Sequence, residues 1–229
     1  MTKQAPGFAL WIAMTACGGS GDAAAPDSPT LCDPATVLPS SFRVIASVST
    51  GAVQVTTSGD VTSGTIDATA GGTSNAADNP YIYVDLRNGV KVAISDLDAR
   101  NSTNWDIMLK RYSLRTNSGD SGPGNRELAV VQAATLAEVI SAPTSGYMSD
   151  DFVTDDCMLD SLLIGEPRSA FGNWYDYEVT TNVVTPKPEV YVLKRNNGSK
   201  TGFRIKSYYG DPRDPTRSAL YSVEWKSLP

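Results

Sequence analysis

The chain contains no histidine. That absence excludes Ser-His-Asp catalysis, histidine-based zinc sites and most general-base schemes that operate near neutral pH. Positive charge is also in short supply: 19 Lys and Arg against 25 Asp and Glu leave a net charge of −6. Nucleic acid is therefore a poor partner, because phosphate binding needs a basic face. Long hydrophobic runs are missing as well. The apolar stretch from Phe8 to Ala16 is about half of the ~20 residues that a membrane-crossing helix requires. There is no internal repeat, no heptad pattern and no Asp-x-Asp-x-Asp-Gly calcium loop. The Ser-Gly-Pro-Gly stretch lacks the Lys-Ser/Thr of a phosphate cradle. No pair of carboxylates stands out as an acid/base couple, so the chain is read as a non-enzyme.

What is present starts with an export signal. Lys3 precedes the apolar run, which closes on Met14-Thr15-Ala16-Cys17. Small residues just before a cysteine end bacterial lipoprotein signals, so 1–16 is read as the signal peptide and Cys17 as the lipidated first residue of the mature chain. The alternative is a simple secretory signal cut nearby, with Cys17 incidental. Residues 17–31, rich in Gly, Ala, Ser and Pro, read as a flexible tether, and 32–229 as a single domain. Export frees the two remaining cysteines, Cys32 and Cys157, to oxidise. A bridge between them would stabilise by about 4–5 kcal/mol in the chain-entropy model; two free buried thiols are the other reading.

From Phe42 onwards the sequence alternates strand and turn. Val44–Val48, Val53–Thr57, Val61–Thr69, Tyr81–Leu86 and Val90–Ile94 are short β-rich runs, separated by Ser-Gly-Asp, Gly-Gly-Thr and Arg-Asn-Gly turns. The segment Gly71–Asn79 reads as a polar surface loop. Trp105–Arg115 reads as one strand, buried on both sides for part of its length. Ala133–Ser141, stopped by Pro143, is the one expected helix. Residues 145–173 read as long loops, with a strand or a helical turn within them as the alternative. Strands return at Trp174–Tyr177, at Val190–Arg195 and Phe203–Tyr209 around Asn196-Asn197-Gly198-Ser199, and at Ser218–Trp225. The fold class is all-β: antiparallel sheets packed face to face with one short helix.

The most informative stretch is Asn104 to Gly124. A Trp-Asp strand breaks into Thr-Asn-Ser-Gly-Asp-Ser-Gly-Pro-Gly, where Gly119, Gly122 and Gly124 are expected to supply backbone angles that other residues avoid. Ala142-Pro-Thr-Ser-Gly-Tyr147 follows the expected helix. The C-terminal third carries Trp174-Tyr175-x-Tyr177, Tyr191-Val-Leu-Lys-Arg-x-x-Gly198 and Phe203-Arg-Ile-Lys-Ser-Tyr208-Tyr209. In this order and spacing the chain resembles the HmuY-type haem-binding lipoproteins of bacterial envelopes. The resemblance implies an all-β protein of the cell envelope, anchored in the outer membrane through its lipid or exposed at the surface. It also implies one haem held between two axial side chains and a possible outer-membrane haem receptor as partner. Those axial ligands are paired histidines in some members and methionines in others.

Without histidine, haem would have to be held by Met, Tyr, Cys or Lys. After processing, Met108, Met148 and Met158 remain. Met108 lies inside the signature strand and reads as core packing. Met148 falls near the family's first ligand position and Met158 is the nearest substitute for the second, so these two are the candidate cofactor and metal ligands. Each has packing as its alternative; Tyr147 and Tyr175 are weaker candidates. Asp150, Asp151, Asp155, Asp156 and Asp160 read as a solvated acidic loop rather than a calcium site, and Asp211-Pro-Arg-Asp214-Pro reads as a turn. Trp105, Trp174 and Tyr175 read as core residues rather than a sugar platform. Lys110, Arg111 and Arg115 read as a solvated edge, with contact to a haem propionate as the alternative. The competing function is a surface interaction or structural lipoprotein of the same fold without a haem site. A carbohydrate-binding module has little support.

Overall fold

The computed structural model describes residues 44–69, 78–163, 166–210 and 216–229, all within one compact unit, Cys32–Pro229. The signal, the tether, Cys17 and Cys32 lie outside the described residues. So do positions 71–77 of the expected polar loop and 211–215 of the Asp-Pro turn. Among the described residues no helix is long and apolar enough to cross a membrane.

Two antiparallel sheets make the body of the fold. The larger has the order β1 (Val53–Ser58), β2 (Val61–Asp67), β14 (Leu220–Leu228), β13 (Lys200–Ser207), β12 (Glu189–Lys194), β7 (Glu127–Gln132). The smaller runs β4 (Val90–Val92), β3 (Ile82–Asp85), β5 (Ile107–Lys110), β6 (Ser113–Thr116). Two short hairpins complete it: β8 (Ser161–Leu163) with β9 (Glu166–Pro167), and β10 (Tyr175–Glu178) with β11 (Val183–Pro186).

The two-residue side-chain period of a strand sorts the core. On the larger sheet, Ile66, Leu128, Tyr191, Leu193, Phe203, Tyr221, Val223 and Trp225 join one apolar cluster with Ile82, Val84, Ile107, Leu109 and Leu114 of the smaller sheet. Val190 and Val192 alternate to the opposite face of β12, where Leu136, Val139 and Leu228 cover them. Likewise Met108 points away from the main core and packs with Tyr81, Tyr83 and Trp105. Both faces of β5 and of β12 are therefore apolar, which is why their sequences run almost without polar interruption.

The structure corrects four expectations. Trp105–Arg115 is not one strand but the β5–β6 hairpin, turning at Arg111 and Tyr112. Arg111 adopts φ 52°, a left-handed conformation that costs a non-glycine residue about 1–2 kcal/mol. Tertiary contacts hold it there: the Arg111 N–H donates to the Ala68 carbonyl at 2.9 Å, and the Tyr221 hydroxyl donates to the Arg111 carbonyl at 2.6 Å. Ala133–Ser141 is not a helix; only Leu136–Glu138 forms a single 3₁₀ turn. Ala133, Leu136 and Val139 are the buried positions, and their three-residue spacing suits a 3₁₀ turn, while β-branched Val139 and Ile140 resist continuing it. Among the described residues the one α-helical turn, α1 (Asp96–Ala99), is capped by the Ser95 hydroxyl. Val44–Val48 makes one isolated bridge, Val48 to Ser95. Finally, Gly122 has φ 171°, ordinary extended backbone, and of the three signature glycines only Gly119, at φ 49°, needs the left-handed region.

Candidate functional site

The signature block is a scaffold, and what it scaffolds is a cleft. Asn117, fully buried, donates from Nδ2 to the carbonyls of Ser102 and Trp105 at 3.0 and 2.9 Å and accepts the Gly124 N–H at 2.9 Å. A Cβ on Gly122 would lie 2.4 Å from Asn117 Oδ1 and 2.7 Å from Trp105 Cζ2. Close approach, not backbone angle, requires glycine there.

The same loop then grips the segment from Met148 to Val153. Asp120 Oδ2 accepts the N–H groups of Phe152 and Val153 at 2.8 and 2.9 Å, and Ser118 Oγ accepts that of Asp150 at 3.0 Å. The Asp120 N–H donates to the Asp150 carbonyl at 2.8 Å. Gly119 is packed so closely on that carbonyl that a Cβ would sit 2.1 Å from its oxygen. Asp150, with no exposure, accepts the Thr116 N–H at 2.9 Å on one carboxylate oxygen and the Ala170 N–H at 2.6 Å on the other. Burial outweighs these donors and pushes its carboxyl up to about 6.

Asp150 thus ties two stretches of chain to the end of β6, and both line one cleft. Met148, Ser149 and Asp151 line this cleft of about 560 Å³ together with Asp160, Arg168, Ser169, Ala170 and Gly172. Met148 is anchored by a reciprocal pair of 2.9 Å main-chain bonds with Leu128 of β7, yet its side chain is 53 % exposed. Also lining the cleft, Arg168 Nε donates to Asp160 Oδ2 at 2.7 Å and Nη2 to Oδ1 at 3.4 Å. The Arg168 N–H also donates to the Asp160 carbonyl at 2.8 Å.

The structure separates the candidate residues. Met148 lines the cleft. Met158, 63 % exposed, lies at the 154–158 turn, where its carbonyl accepts the Thr154 N–H at 2.9 Å, and it is not among the residues lining the cleft. Met108 is core, as expected. Tyr147 is a poor iron ligand: burial raises its hydroxyl above the ordinary value, and that hydroxyl donates to the Pro143 carbonyl at 3.0 Å. Tyr175 packs on Trp174 and Tyr112. Trp105 and Trp174 are buried, their indole N–H groups donating to the Ala99 and Tyr112 carbonyls. Lys110 and Arg115 are not a solvated edge. Both are buried: the Lys110 ammonium sits 4.5 Å from the Tyr81 ring centre, and the Arg115 guanidinium stands 4.8 Å from that of Phe152. The acidic run divides in the same way, since Asp150 is a buried tie and Asp160 an ion-pair partner. Arg168 carried no signal in the sequence; only its place in the cleft that Met148 also lines singles it out.

A site of this size falls within the ~300–1,000 Å³ usual for small-molecule sites. Its lining offers a soft, uncharged sulfur donor in Met148 and a guanidinium suited to a carboxylate in Arg168. That donor set fits a large ring with a metal at its centre and acidic groups at its edge. The carboxylates of Asp151 and Asp160 work against such an edge.

The family model described as HmuY protein matches residues 77–219. Among solved structures, the apo HmuY analog of Tannerella forsythia aligns with a TM-score of 0.53 at 16 % identity, covering 78 % of this chain and 98 % of that one. Apo PinO of Porphyromonas aligns with a TM-score of 0.52 at 16 % identity, covering 75 % and 99 %. A structure described as a candidate HmuY-like haem-binding protein of Bacteroides vulgatus aligns with a TM-score of 0.50 at 16 % identity, covering 77 % and 96 %. At this identity the likeness is one of fold. No curated protein matches the chain.

Proposed function

The chain belongs to the HmuY family, and on that footing we propose that it binds haem at the cell envelope without catalysing a reaction, for capture or storage. Met148 is the axial ligand offered by the cleft wall, and Met158, on the neighbouring turn, is the second. Cys17 carries the lipid anchor, 17–31 is the tether, and Cys32 pairs with Cys157 across the single domain 32–229. An outer-membrane haem receptor is the partner to which cargo would pass.

The observation that carries this reading is the Met148 side chain, exposed on the wall of a cleft of about 560 Å³ in a chain with no histidine. Bound haem would supply an iron that accepts sulfur donors and a broad apolar ring. The protein would hold Met148 in place through β7, keep the walls together through Asp150, and meet the ring's acidic edge with charge.

Titrating the purified mature protein with haem, with and without reductant, tests the proposal through the Soret band. A saturable low-spin spectrum that is lost in Met148→Ala is the expected result. The absence of any saturable change in either redox state would favour a surface interaction or structural protein of the same fold, an outcome consistent with Met158 lying off the cleft lining.

A further inference from the structure

Two oppositely charged side chains that line the cleft hold each other. Arg168 and Asp160 meet at 2.7 Å, with side-chain exposures of 50 % and 39 %. An ion pair this open to water is weak and easily exchanged, because solvent screens the attraction and each partner is well hydrated alone. The two residues, which flank the β8–β9 hairpin, are also joined by a main-chain bond from the Arg168 N–H to the Asp160 carbonyl, which involves neither side chain. Among the described residues, the charged groups lining the cleft are Asp151, Asp160 and Arg168, and Arg168 is the one cation of these.

We infer that Arg168 is the specificity-determining anchor of the cleft, binding a carboxylate on the ligand's edge by exchanging the Asp160 carboxylate for it, so that Asp160 acts as a built-in competitor. This rests on the haem reading above and assigns the polar end of that same site. The exchange makes and breaks no covalent bond: one carboxylate replaces another on the guanidinium fork, which matches either in planar, two-point geometry. Asp160, once displaced, returns to water.

The inference separates ligands that share a ring but differ at its edge. The test uses iron-free protoporphyrin and its dimethyl ester, whose binding owes nothing to sulfur ligation, followed by quenching of tryptophan fluorescence; haem and haem dimethyl ester are run beside them. The wild-type protein should bind the diacid more tightly than the ester. Arg168→Gln should weaken diacid binding by up to about fivefold and leave the ester unchanged, the range expected of an exposed charge pair. Asp160→Asn should tighten diacid binding by a similar factor, with the gain shrinking as salt rises. If the wild type binds both porphyrins but its preference for the diacid survives Arg168→Gln, or if Asp160→Asn does not tighten binding, the anchor is overturned while the haem reading stands. If the wild type binds no porphyrin, both fall together.

Discussion

Asp150 and Ala170, twenty residues apart, are joined by a 2.6 Å bond from the Ala170 N–H to the Asp150 carboxylate. Through that contact the cleft-lining stretch around Ala170 is tied to β6, because the second oxygen of the same carboxylate accepts the Thr116 N–H.

Asp150→Ala would leave the N–H groups of Thr116 and Ala170 buried without this acceptor. Each orphaned group costs about 1–3 kcal/mol. Urea unfolding should show a loss in that range per group, and ligand affinity should fall with it as the walls separate.

Asp106 anchors the signature strand differently. Its carboxylate accepts Arg195 Nε at 3.0 Å, Arg195 Nη2 at 2.5 Å and Arg126 Nε at 3.0 Å, plus the Leu86 N–H at 3.0 Å, all with Arg195 only 5 % exposed. Removing one partner of a buried pair strands the other's charge, at about 3–5 kcal/mol. Asp106→Ala is expected to cost that much by thermal or chemical unfolding, and more than Arg204→Ala, whose partner Glu224 is partly exposed.

Gly122→Ala tests whether the signature glycines serve close packing. The added Cβ meets Asn117 Oδ1 and the Trp105 ring, and overpacking of this kind costs about 1–3 kcal/mol. Gly198→Ala, where nothing lies within 4 Å but φ is +80°, should cost only the strain of its backbone, about 1 kcal/mol.

Asp96 sets a pH dependence of stability. Its carboxylate accepts the Tyr81 N–H at 2.9 Å, the Tyr83 hydroxyl at 3.0 Å and the Ile45 N–H at 3.2 Å, yet burial dominates and raises its carboxyl above the ordinary range. A folded-state value above the unfolded one means the native protein holds the proton more tightly. Asp96 therefore contributes stability that is complete below the unfolded carboxylate value and is lost as pH rises through the folded one. The stability gap between wild type and Asp96→Asn should be larger at pH 4 than at pH 7, measured by urea unfolding at both.

Sulfur ligation makes its own prediction. A histidine must lose its proton to bind iron, whereas a thioether has none to lose and favours ferrous over ferric iron. Haem affinity should rise on reduction and stay nearly flat between about pH 5 and 8, where imidazole titrates. Stronger ferric binding with a steep acid limb would overturn Met148 and Met158 as ligands.

Much of this protein was legible as text. Alternating hydrophobes and turn residues mark most strands of the larger sheet, because a strand that buries one or both faces must write that pattern locally. The β12–β13 hairpin around Asn196–Ser199 is a direct case, with Gly198 at φ 80° supplying its turn. The strands β7 and β11 were not legible. Glu127, Leu128 and Ala129 carry no strand preference of their own, and β7 exists because β12 offers it a partner along Glu189–Lys194. The Arg111 turn was hidden for the same reason, since its strained backbone is held from a distance by Ala68 and Tyr221.

The candidate site divides along that line. By itself the sequence determined the all-β class, the family resemblance and the exclusion of histidine as an iron ligand, because composition and local pattern need no third dimension. Only the tertiary structure decided that Met148 and Arg168 face one cleft, that Met158 does not line it, and that the glycine-rich signature braces the wall instead of forming the pocket. Such facts depend on which distant main-chain groups a buried carboxylate such as that of Asp150 finds, here the N–H groups of Thr116 and Ala170, and no local pattern encodes that encounter.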